Sequence, residues 1–367
     1  MQPKLIDMCC GSGTFVVETI KIVAEELEDL SESQKRDKII SCVTGFDIDP
    51  LAVILARINW LMVAKPFISI SGSDKITIPI YNADSLFAVT PVSTNEGEGN
   101  FYSLSLLDEQ VNLPKTLLLP ANKSLFEKIL DVGYSSIIQL TEIPEEEFYS
   151  NTLNTIKTQL NITLVTEDQS LVLAFMQEYY SAIFRLHSQG KNGIWNFLLL
   201  NSFRPALVEN SFNGLVSNPP WLTLSRIADN PYKEFLQNLA NELSISPSGS
   251  SFLHIELATI FLLSSIERYL TNNAEIGCIL PGTVLSGDHH HPFRSKEYDN
   301  SQIEFKISKI WDLDKVIFNN RGIAIFGNKS EGENTSPIPY HFESQNQQVE
   351  ESQLYYSTLD SKSAWTY

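Results

Sequence analysis

The stretch that decides the fold is LIDMCCGSG at residues 5–13, where a short apolar strand runs into a glycine turn. An amphipathic helix is predicted to follow over residues 14–30. Glycine lets the backbone approach a ligand closely, and the first turn of a helix presents unpaired N–H groups. The turn has neither the Gly-Lys-Ser/Thr of a P-loop nor a GxGxxG dinucleotide fingerprint. The stretch therefore predicts an α/β nucleotide-binding loop that does not wrap a triphosphate.

A second strand is predicted over residues 42–47, and it ends in an acid, Asp47. Asp49 and Pro50 then open a helix over residues 51–64, as N-cap and first helical residue. Because Asp49 has this capping task, Asp47 is expected to be unengaged. An acid at the end of the second strand of a doubly wound fold can bind both hydroxyls of a ribose.

A third strand is predicted over residues 76–81, followed by Asp84. Three successive strands thus end in Asp7, Asp47 and Asp84. In open α/β sheets the ligand crevice lies outside the carboxyl ends of the strands. Asp84 is placed to accept a hydrogen bond from an adenine amine. Three solvated helix caps are the alternative interpretation.

Further along, Asn218-Pro219-Pro220-Trp221 follows a short apolar strand, residues 214–217. The two prolines stop the strand, because they lack an N–H and fix φ near −65°. The Asn218 side-chain oxygen and the Pro219 carbonyl can accept both hydrogens of a planar amino group. Trp221 offers a flat face, and stacking of a base on such a face contributes about 1–3 kcal/mol. An ordinary Pro-Pro turn with a partly buried tryptophan is the alternative.

Composition sets limits on the class of protein. The chain has 367 residues, 43% of them hydrophobic and 19% charged, which predicts a globular protein with more than one domain. No run of 18 or more apolar residues predicts a membrane span. No signal peptide is expected, because Asp7 and the glycine turn follow the start almost at once, and four cysteines without metal spacing suit the cytoplasm. The net charge of −18 opposes solitary binding to nucleic acid. Either basic residues are clustered, a second protein chain supplies them, or nucleic acid is not the substrate.

Four segments, residues 7–15, 45–50, 82–87 and 218–221, together resemble motifs I to IV of S-adenosylmethionine-dependent amino-methyltransferases. The greatest similarity is to the adenine-N6 DNA methyltransferases of restriction-modification and phage-defence systems. The resemblance covers residues 3–87 and 213–330 and implies a Rossmann-like doubly wound sheet. Glutamine-modifying protein methyltransferases and some ribosomal RNA methyltransferases also carry Asn-Pro-Pro-aromatic, so both remain alternatives.

The resemblance also implies roles for individual residues. The residues expected to bind S-adenosylmethionine are Asp7, Cys9, Gly11 and Gly13 at its methionine end, Asp47 at its ribose, and Ile48 and Asp84 at its adenine. The residues expected to form the catalytic motif are Asn218, Pro219, Pro220 and Trp221. A flipped-out adenine of DNA would stack between Trp221 and Phe318. No covalent intermediate is needed, so Cys9 and Cys10 are not expected to be nucleophiles.

The predicted domains are a cofactor-binding half (1–87), an insertion (88–212), a catalytic half (213–330) and a polar tail (331–367). The insertion is acidic and mostly helical, and a target-recognition role and a partner-docking role both remain open. Lys191 and Arg204 are its candidates for contacting DNA.

Three further predictions concern the second half of the chain. Residues 222–250 are expected to form a mobile flap, and residues 251–270 a helix that brings Phe252 or His254 to the cofactor. The run Asp288-His289-His290-His291 is not expected to bind metal, because adjacent loop residues rarely converge on one ion. A cofactor-binding subunit that needs a partner chain for activity is the alternative from another functional class.

Overall fold

The structure is a computed structural model. It describes residues 2–27, 30–68, 76–86, 93–96, 100–139, 143–160, 168–191, 195–247, 254–295, 303–313, 319–330, 338–343 and 349–354. The chain forms two compact units. We call Met1–Leu86 with Glu209–Tyr367 the core unit, and Phe87–Val208 the insertion unit.

A nine-stranded sheet forms the centre of the core unit, in the order β12-β11-β9-β10-β8-β7-β1-β2-β3. Strands β3, β2, β1, β7 and β8 are all parallel, whereas β10 is antiparallel to both of its neighbours. The carboxyl ends of the five parallel strands therefore share one edge of the sheet. The strands are β1 (Leu5–Asp7), β2 (Val43–Asp47), β3 (Ile80–Asn82), β7 (Phe212–Ser217), β8 (Leu270–Pro281), β9 (Lys306–Asp312), β10 (Gly322–Asn328), β11 (Ile338–Glu343) and β12 (Val349–Leu354).

Helices cover this sheet, and the predicted α/β class with a large central sheet is confirmed. Trp60 and Ile20 are fully buried among the side chains that pack α1 and α3 against β2. Asp49 caps α3 as predicted, since its carboxylate accepts a hydrogen bond from Leu51 N at 2.9 Å. The helices of the core unit are α1 (Thr14–Glu26), α2 (Glu32–Ser41), α3 (Pro50–Ala64), α8 (Pro231–Glu242), α9 (Leu257–Tyr269), α10 (Thr283–Ser286) and α11 (His291–Ser295).

Where the structure describes it, the insertion unit contains four α-helices and a small antiparallel sheet in the order β4-β5-β6. Its core includes the fully buried Phe126, Tyr179 and Tyr180, and the Tyr180 hydroxyl donates to Ile129 O at 3.0 Å. Helices dominate, as expected, but sequence patterns did not reveal the small sheet. The elements are β4 (Ser93–Glu96), β5 (Phe101–Leu106), β6 (Glu109–Pro114), α4 (Lys123–Ile138), α5 (Glu145–Leu160), α6 (Asp168–Ser188) and α7 (Trp195–Phe203).

Two predicted boundaries and one predicted flap differ from the structure. The third strand begins at Ile80 rather than at residue 76, and α9 begins at Leu257 rather than at residue 251. The expected flap contains α8, whose N-cap Asn230 accepts a hydrogen bond from Lys233 N. Asn-Pro at its start is therefore a helix-opening signal rather than a loop signal.

The polar tail also differs from expectation, because its strands β11 and β12 extend the central sheet. Strand β11 pairs in parallel with β9, and Tyr340 of β11 is buried and donates a hydrogen bond to the buried Asp312. Alternating apolar residues in 338–342 could have indicated this strand.

Helix α3 has an unusual exposed face. By length and composition alone, the stretch Pro50–Phe67 could cross a membrane, which is weak evidence for a span. Its apolar residues do not form an uninterrupted run, because Arg57 and Asn59 lie among them. Arg57 Nε donates to Ile80 O at 2.9 Å, so this face belongs to a helix that is fastened to the sheet. Its exposed apolar side chains are Leu51, Ile54, Leu55, Ile58, Leu61 and Met62.

Candidate active site

A cavity of about 280 Å³ lies at the carboxyl edge of the parallel strands. Ligand pockets in proteins measure about 300–1,000 Å³, so this cavity is close to the lower end of that range. It brings together the ends of β1, β2, β3 and β7, which are far apart in sequence. Its lining residues are Met8, Cys9, Asp47, Ile48, Ala83, Ser85, Asn218, Pro220 and Phe261.

The glycine turn forms one wall of this edge, and two of its positions require glycine. Gly11 and Gly13 have φ values of 52° and 88°, which L-residues with side chains rarely adopt. A Cβ on Gly13 would lie 3.1 Å from Ala56 Cβ on α3. The turn is fastened to β2, because Cys10 N donates to Phe46 O at 2.9 Å.

Asp47 organises the turn rather than being unengaged, and that expectation was wrong. One carboxylate oxygen accepts from Gly11 N at 2.8 Å, and the other accepts from Asp49 N at 2.9 Å. Each oxygen has a further lone pair. Asp47 can therefore accept hydrogen bonds from a ribose while it holds the turn. Ile48, exposed over 65% of its surface, presents an apolar face in the same cavity.

Asp7 is buried at the end of β1. One carboxylate oxygen accepts from Ser217 Oγ at 2.8 Å and from Cys9 N at 3.4 Å. The other oxygen is buried and has no hydrogen-bond partner among the described residues. Burial raises the pKa of Asp7 to about 7, more than its two hydrogen bonds lower it. A cationic ligand beside this carboxylate would offset the cost of its ionisation.

Asp84 follows β3 but is engaged within the protein. Its carboxylate accepts from Leu86 N at 2.9 Å and from the Tyr232 hydroxyl of α8. Burial raises the pKa of Asp84 despite these hydrogen bonds. Its neighbours Ala83 and Ser85 line the cavity, whereas Asp84 is not among the described lining residues.

Asn218 lies where β7 ends and lines the cavity together with Pro220. Its side-chain oxygen is buried and has no hydrogen-bond partner among the described residues. A buried acceptor without a partner costs about 1–3 kcal/mol, which a donor on a ligand would offset. Pro219 is buried and Trp221 half-buried, and neither is among the described lining residues.

Cys9 lines the cavity, and Cys10 is the next residue of the glycine turn. Burial raises the pKa of both Cys9 and Cys10, and the nearby Asp7 and Asp47 raise it further. Both therefore remain protonated near neutral pH and are poor nucleophiles. All four cysteines of the chain are unpaired.

Some cavity residues were missed by sequence reasoning, and some predicted residues fall elsewhere. Met8, Ala83 and Ser85 adjoin predicted residues, so the strand ends could have indicated them. Phe261 comes from α9, the helix that was expected to contribute Phe252 or His254. His254 is exposed just before this helix and is absent from the described lining. Phe252 and Phe318 lie outside the described residues.

Lys191 and Arg204, the two candidates of the insertion unit for contacting DNA, each have an acidic neighbour in the structure. Lys191 pairs with Asp108 at 2.5 Å, and Arg204 pairs with Glu127. A phosphate would have to compete with these carboxylates, and a contact with DNA at either residue stays a prediction.

No family model matches the chain, and no curated protein matches it in sequence. Among solved structures, the DrdV–DNA complex has a TM-score of 0.50 at 11% identity, over 100% of this chain and 28% of that chain. The Type ISP restriction-modification enzyme LlaGI, a nuclease-deletion mutant in complex with a DNA substrate mimic, has a TM-score of 0.48 at 10% identity, over 100% and 24%. The Type I restriction enzyme EcoKI M protein has a TM-score of 0.41 at 12% identity, over 93% and 44%. At 10–12% sequence identity, the similarity to these structures is one of fold alone. The chain spans less than half the length of each of these proteins.

Proposed function

We propose that this chain carries the catalytic core of an S-adenosylmethionine-dependent methyltransferase acting on the N6 amine of adenine in DNA. The observation that carries the proposal is the shared cavity. Asp47 and Ile48 line one part of it, and Asn218, with its unpartnered buried oxygen, lines another. A cofactor and an acceptor amine could therefore meet at one edge of the sheet.

The residues present fit the cofactor. Asp47 has remaining lone pairs for the ribose hydroxyls, and Ile48 has an exposed apolar face for the adenine ring. Asp7 has an unpartnered buried carboxylate oxygen next to the glycine turn, suited to the cationic methionine end. When bound, S-adenosylmethionine would supply an electrophilic methyl group. The high pKa of Cys9 agrees with direct transfer that uses no enzyme nucleophile.

Asn218 and Pro219 would supply the chemistry at the acceptor amine. The lone pair of an aromatic amine is delocalised into the ring, so the amine is a poor nucleophile. Two acceptors, the Asn218 side-chain oxygen and the Pro219 carbonyl, favour the pyramidal form in which the lone pair is available. Fixed dipoles aimed at developing charge stabilise the transition state by about 3–4 kcal/mol per group. Holding the amine in line adds a further entropic advantage.

DNA is proposed as the substrate because of the four sequence motifs, and because the DrdV protein, whose structure is similar to this chain, was solved in complex with DNA. An adenine in a duplex must be flipped out, which costs a few kcal/mol. Stacking on Trp221 and on Phe318 would offset part of that cost. The net charge of −18 favours a second chain that supplies a basic surface. A cytoplasmic restriction-modification or phage-defence system is the setting we propose.

The test is methyl transfer from labelled S-adenosylmethionine to unmethylated genomic DNA, with RNA and cell-extract protein in parallel. Nucleosides from the product are identified by mass spectrometry, and Asn218→Ala serves as the inactive control. N6-methyladenine in DNA is the expected product. Label in RNA or protein alone would replace the substrate while keeping the cofactor site. Cofactor binding without any transfer would favour a subunit that needs a partner.

A further inference from the structure

Three potential metal ligands, Glu256, His289 and His290, come together outside the cavity described above. Glu256 directly precedes α9, and the two histidines lie in a 3₁₀ turn, Asp288–His290, that follows α10. One donor atom from each residue lies within 4.8 Å of the donor atoms of the other two. Sequence spacing alone did not predict this, because the carboxylate is 33 positions or more from the histidines.

The cluster contains buried polar atoms that the protein leaves unpartnered. One Glu256 oxygen accepts from Thr283 Oγ1 at 2.7 Å, whereas the other is buried without a partner among the described residues. The Nε2 atoms of His289 and His290 are likewise buried and unpartnered there. His290 is 2% exposed and Glu256 is 8% exposed, so solvent does not compensate them. Buried polar groups in proteins are nearly always satisfied, so the three atoms point to a ligand.

The electrostatic setting also suits a metal ion. Burial lowers the pKa of His289 and of His290, and Arg294 lowers both further, so neutral imidazole predominates. Neutral imidazole is the form that binds metals. Burial raises the pKa of Glu256, which a bound cation would reverse. The groups facing His289 are His254, Asp288 and Arg294.

Among the described residues that act on the two histidines, Arg294 carries a positive charge that opposes a cation, and it is held by the backbone. Its guanidinium donates to Val284 O at 3.0 Å and to Gly287 O at 2.8 Å. These carbonyls stabilise its charge, and the Glu256 carboxylate offsets the remaining repulsion.

We propose that Glu256, His289 and His290 form a binding site for a divalent first-row metal ion, with Zn²⁺ as the reference ligand. Two imidazoles and a carboxylate with an open position suit zinc and its neighbours in the first row. Bonds of about 2.0–2.2 Å would place the ligand atoms about 3.4 Å apart in a tetrahedral site. Rotation of the half-buried His289 side chain could provide this closure.

The metal site would connect two segments, the one that follows the Asn-Pro-Pro-Trp motif and the turn at residues 288–290. Glu256 forms an isolated antiparallel bridge with Thr223, two residues after Trp221. Leu257 N also donates to Leu222 O at 2.8 Å. A metal at Glu256 would thus couple the segment after the Asn-Pro-Pro-Trp motif to the turn at residues 288–290. Its role is structural, since none of the three ligands is among the described lining residues of the cavity.

The test is titration of the metal-free, untagged full chain with Co²⁺, whose visible absorption reports on inner-sphere ligands. We expect one site per chain, displacement of the spectrum by Zn²⁺, and a higher thermal midpoint with Zn²⁺ than with a chelator. These readouts do not depend on methyl transfer, so they are independent of the proposed function.

Variants make the site assignment falsifiable. Glu256→Gln preserves an acceptor for Thr283, and His289→Gln changes a half-buried residue, so both are expected to fold. Each should weaken Co²⁺ affinity by at least about 100-fold, since each loses a direct ligand, whereas even outer-shell changes cost about 10–100-fold. His187→Gln, on α6 of the insertion unit, is the matched control and should bind as the wild type does. Absence of the Co²⁺ spectrum, or an unchanged spectrum in both cluster variants, would overturn the proposal.

Discussion

Polar groups have different partners in two regions of the molecule, the charged surface of the insertion unit and the carboxyl edge of the central sheet. In the insertion unit, Arg185 pairs with Glu109 at 2.7 Å and with Glu145 at 2.8 Å. At the sheet edge, Asp7 and Asn218 each leave a buried oxygen without a described partner.

Under the proposed function, Arg185 and its acidic partners contribute to folding, whereas Asp7 and Asn218 bind ligands. Exposed ion pairs contribute little and tolerate change, because water screens both partners. An unsatisfied buried acceptor costs stability, and only a bound partner offsets the cost. Substitutions at the sheet edge should therefore change binding and chemistry, and substitutions in the insertion ion pairs should change stability alone.

The largest effect is expected for Asn218→Ala. Removal of the side-chain acceptor should lower kcat for methyl transfer by about 100-fold or more, the loss seen when one transition-state partner is removed. Affinity for S-adenosylmethionine should be unchanged. Single-turnover transfer and calorimetric titration measure the two quantities. Asn241→Ala, at an exposed position of α8, is the control. Wild-type turnover in Asn218→Ala would show that the residue has no catalytic role.

Asp47 and Asp49 form the next test, since they are two residues apart and have different tasks. Asp47→Ala should weaken S-adenosylmethionine binding by about 10–100-fold, because hydrogen bonds to a charged group contribute about 1.5–3 kcal/mol. Asp49→Ala removes the N-cap of α3 and should cost about 1 kcal/mol of stability while leaving affinity nearly unchanged. Calorimetry and thermal unfolding distinguish these outcomes. Equal losses of S-adenosylmethionine affinity in the two variants would show that Asp47 does not bind the cofactor more directly than the helix cap Asp49 does.

The buried carboxyl of Asp7 predicts a pH dependence. Its pKa is raised to about 7 in the folded chain, against about 4 for an unfolded aspartate, so its contribution to stability falls as pH rises from 4 to 7. A cationic cofactor favours the ionised carboxylate and would release a proton on binding.

Affinity for S-adenosylmethionine should accordingly rise between pH 5 and pH 7, by up to about tenfold per unit, and then level off. Titrations across this range measure it. Asp7→Asn should give a flat profile. A rise of the same size in Asp7→Asn would assign the titration to another group.

The smallest effect is expected in the insertion unit. Arg185→Met should lower stability by about 1 kcal/mol or less, because the Arg185 side chain is 42% exposed. Arg185 lowers the pKa of Glu109, so the contribution is present above the ordinary carboxyl pKa and is lost as pH falls. Thermal unfolding at low and high salt, at pH 3 and pH 7, tests this. A change in cofactor affinity in Arg185→Met would contradict the expectation that substitutions in the insertion ion pairs affect stability alone.

The sequence predicted those parts of the site that depend on local chemistry. The glycine turn, the cap at Asp49 and the strand ends at Asp7, Asp47 and Asn218 follow from backbone conformation and from the parallel order of the strands. The engagement of Asp47 with Gly11 N was missed, because it depends on how closely two strand ends approach each other.

Contacts between distant segments could not be predicted in the same way. Phe261 reaches the cavity from a helix whose side chains are nearly all buried, so periodicity gave no sign of its position. The Tyr232 hydroxyl donates a hydrogen bond to Asp84 from α8, which lies in the segment that was expected to be a flap. The cluster of Glu256 with His289 and His290 depends on packing between α9 and the turn after α10. Each of these requires tertiary packing that a single sequence does not specify.

The most direct test of the central claim is a crystal structure of the chain with S-adenosylhomocysteine, the demethylated form of the cofactor. We predict that its ribose hydroxyls lie within hydrogen-bond distance of Asp47, its adenine against Ile48, and its sulfur on the side of the cavity that faces Asn218. A ligand bound elsewhere, or the same cavity occupied with the sulfur directed away from Asn218, would contradict the account.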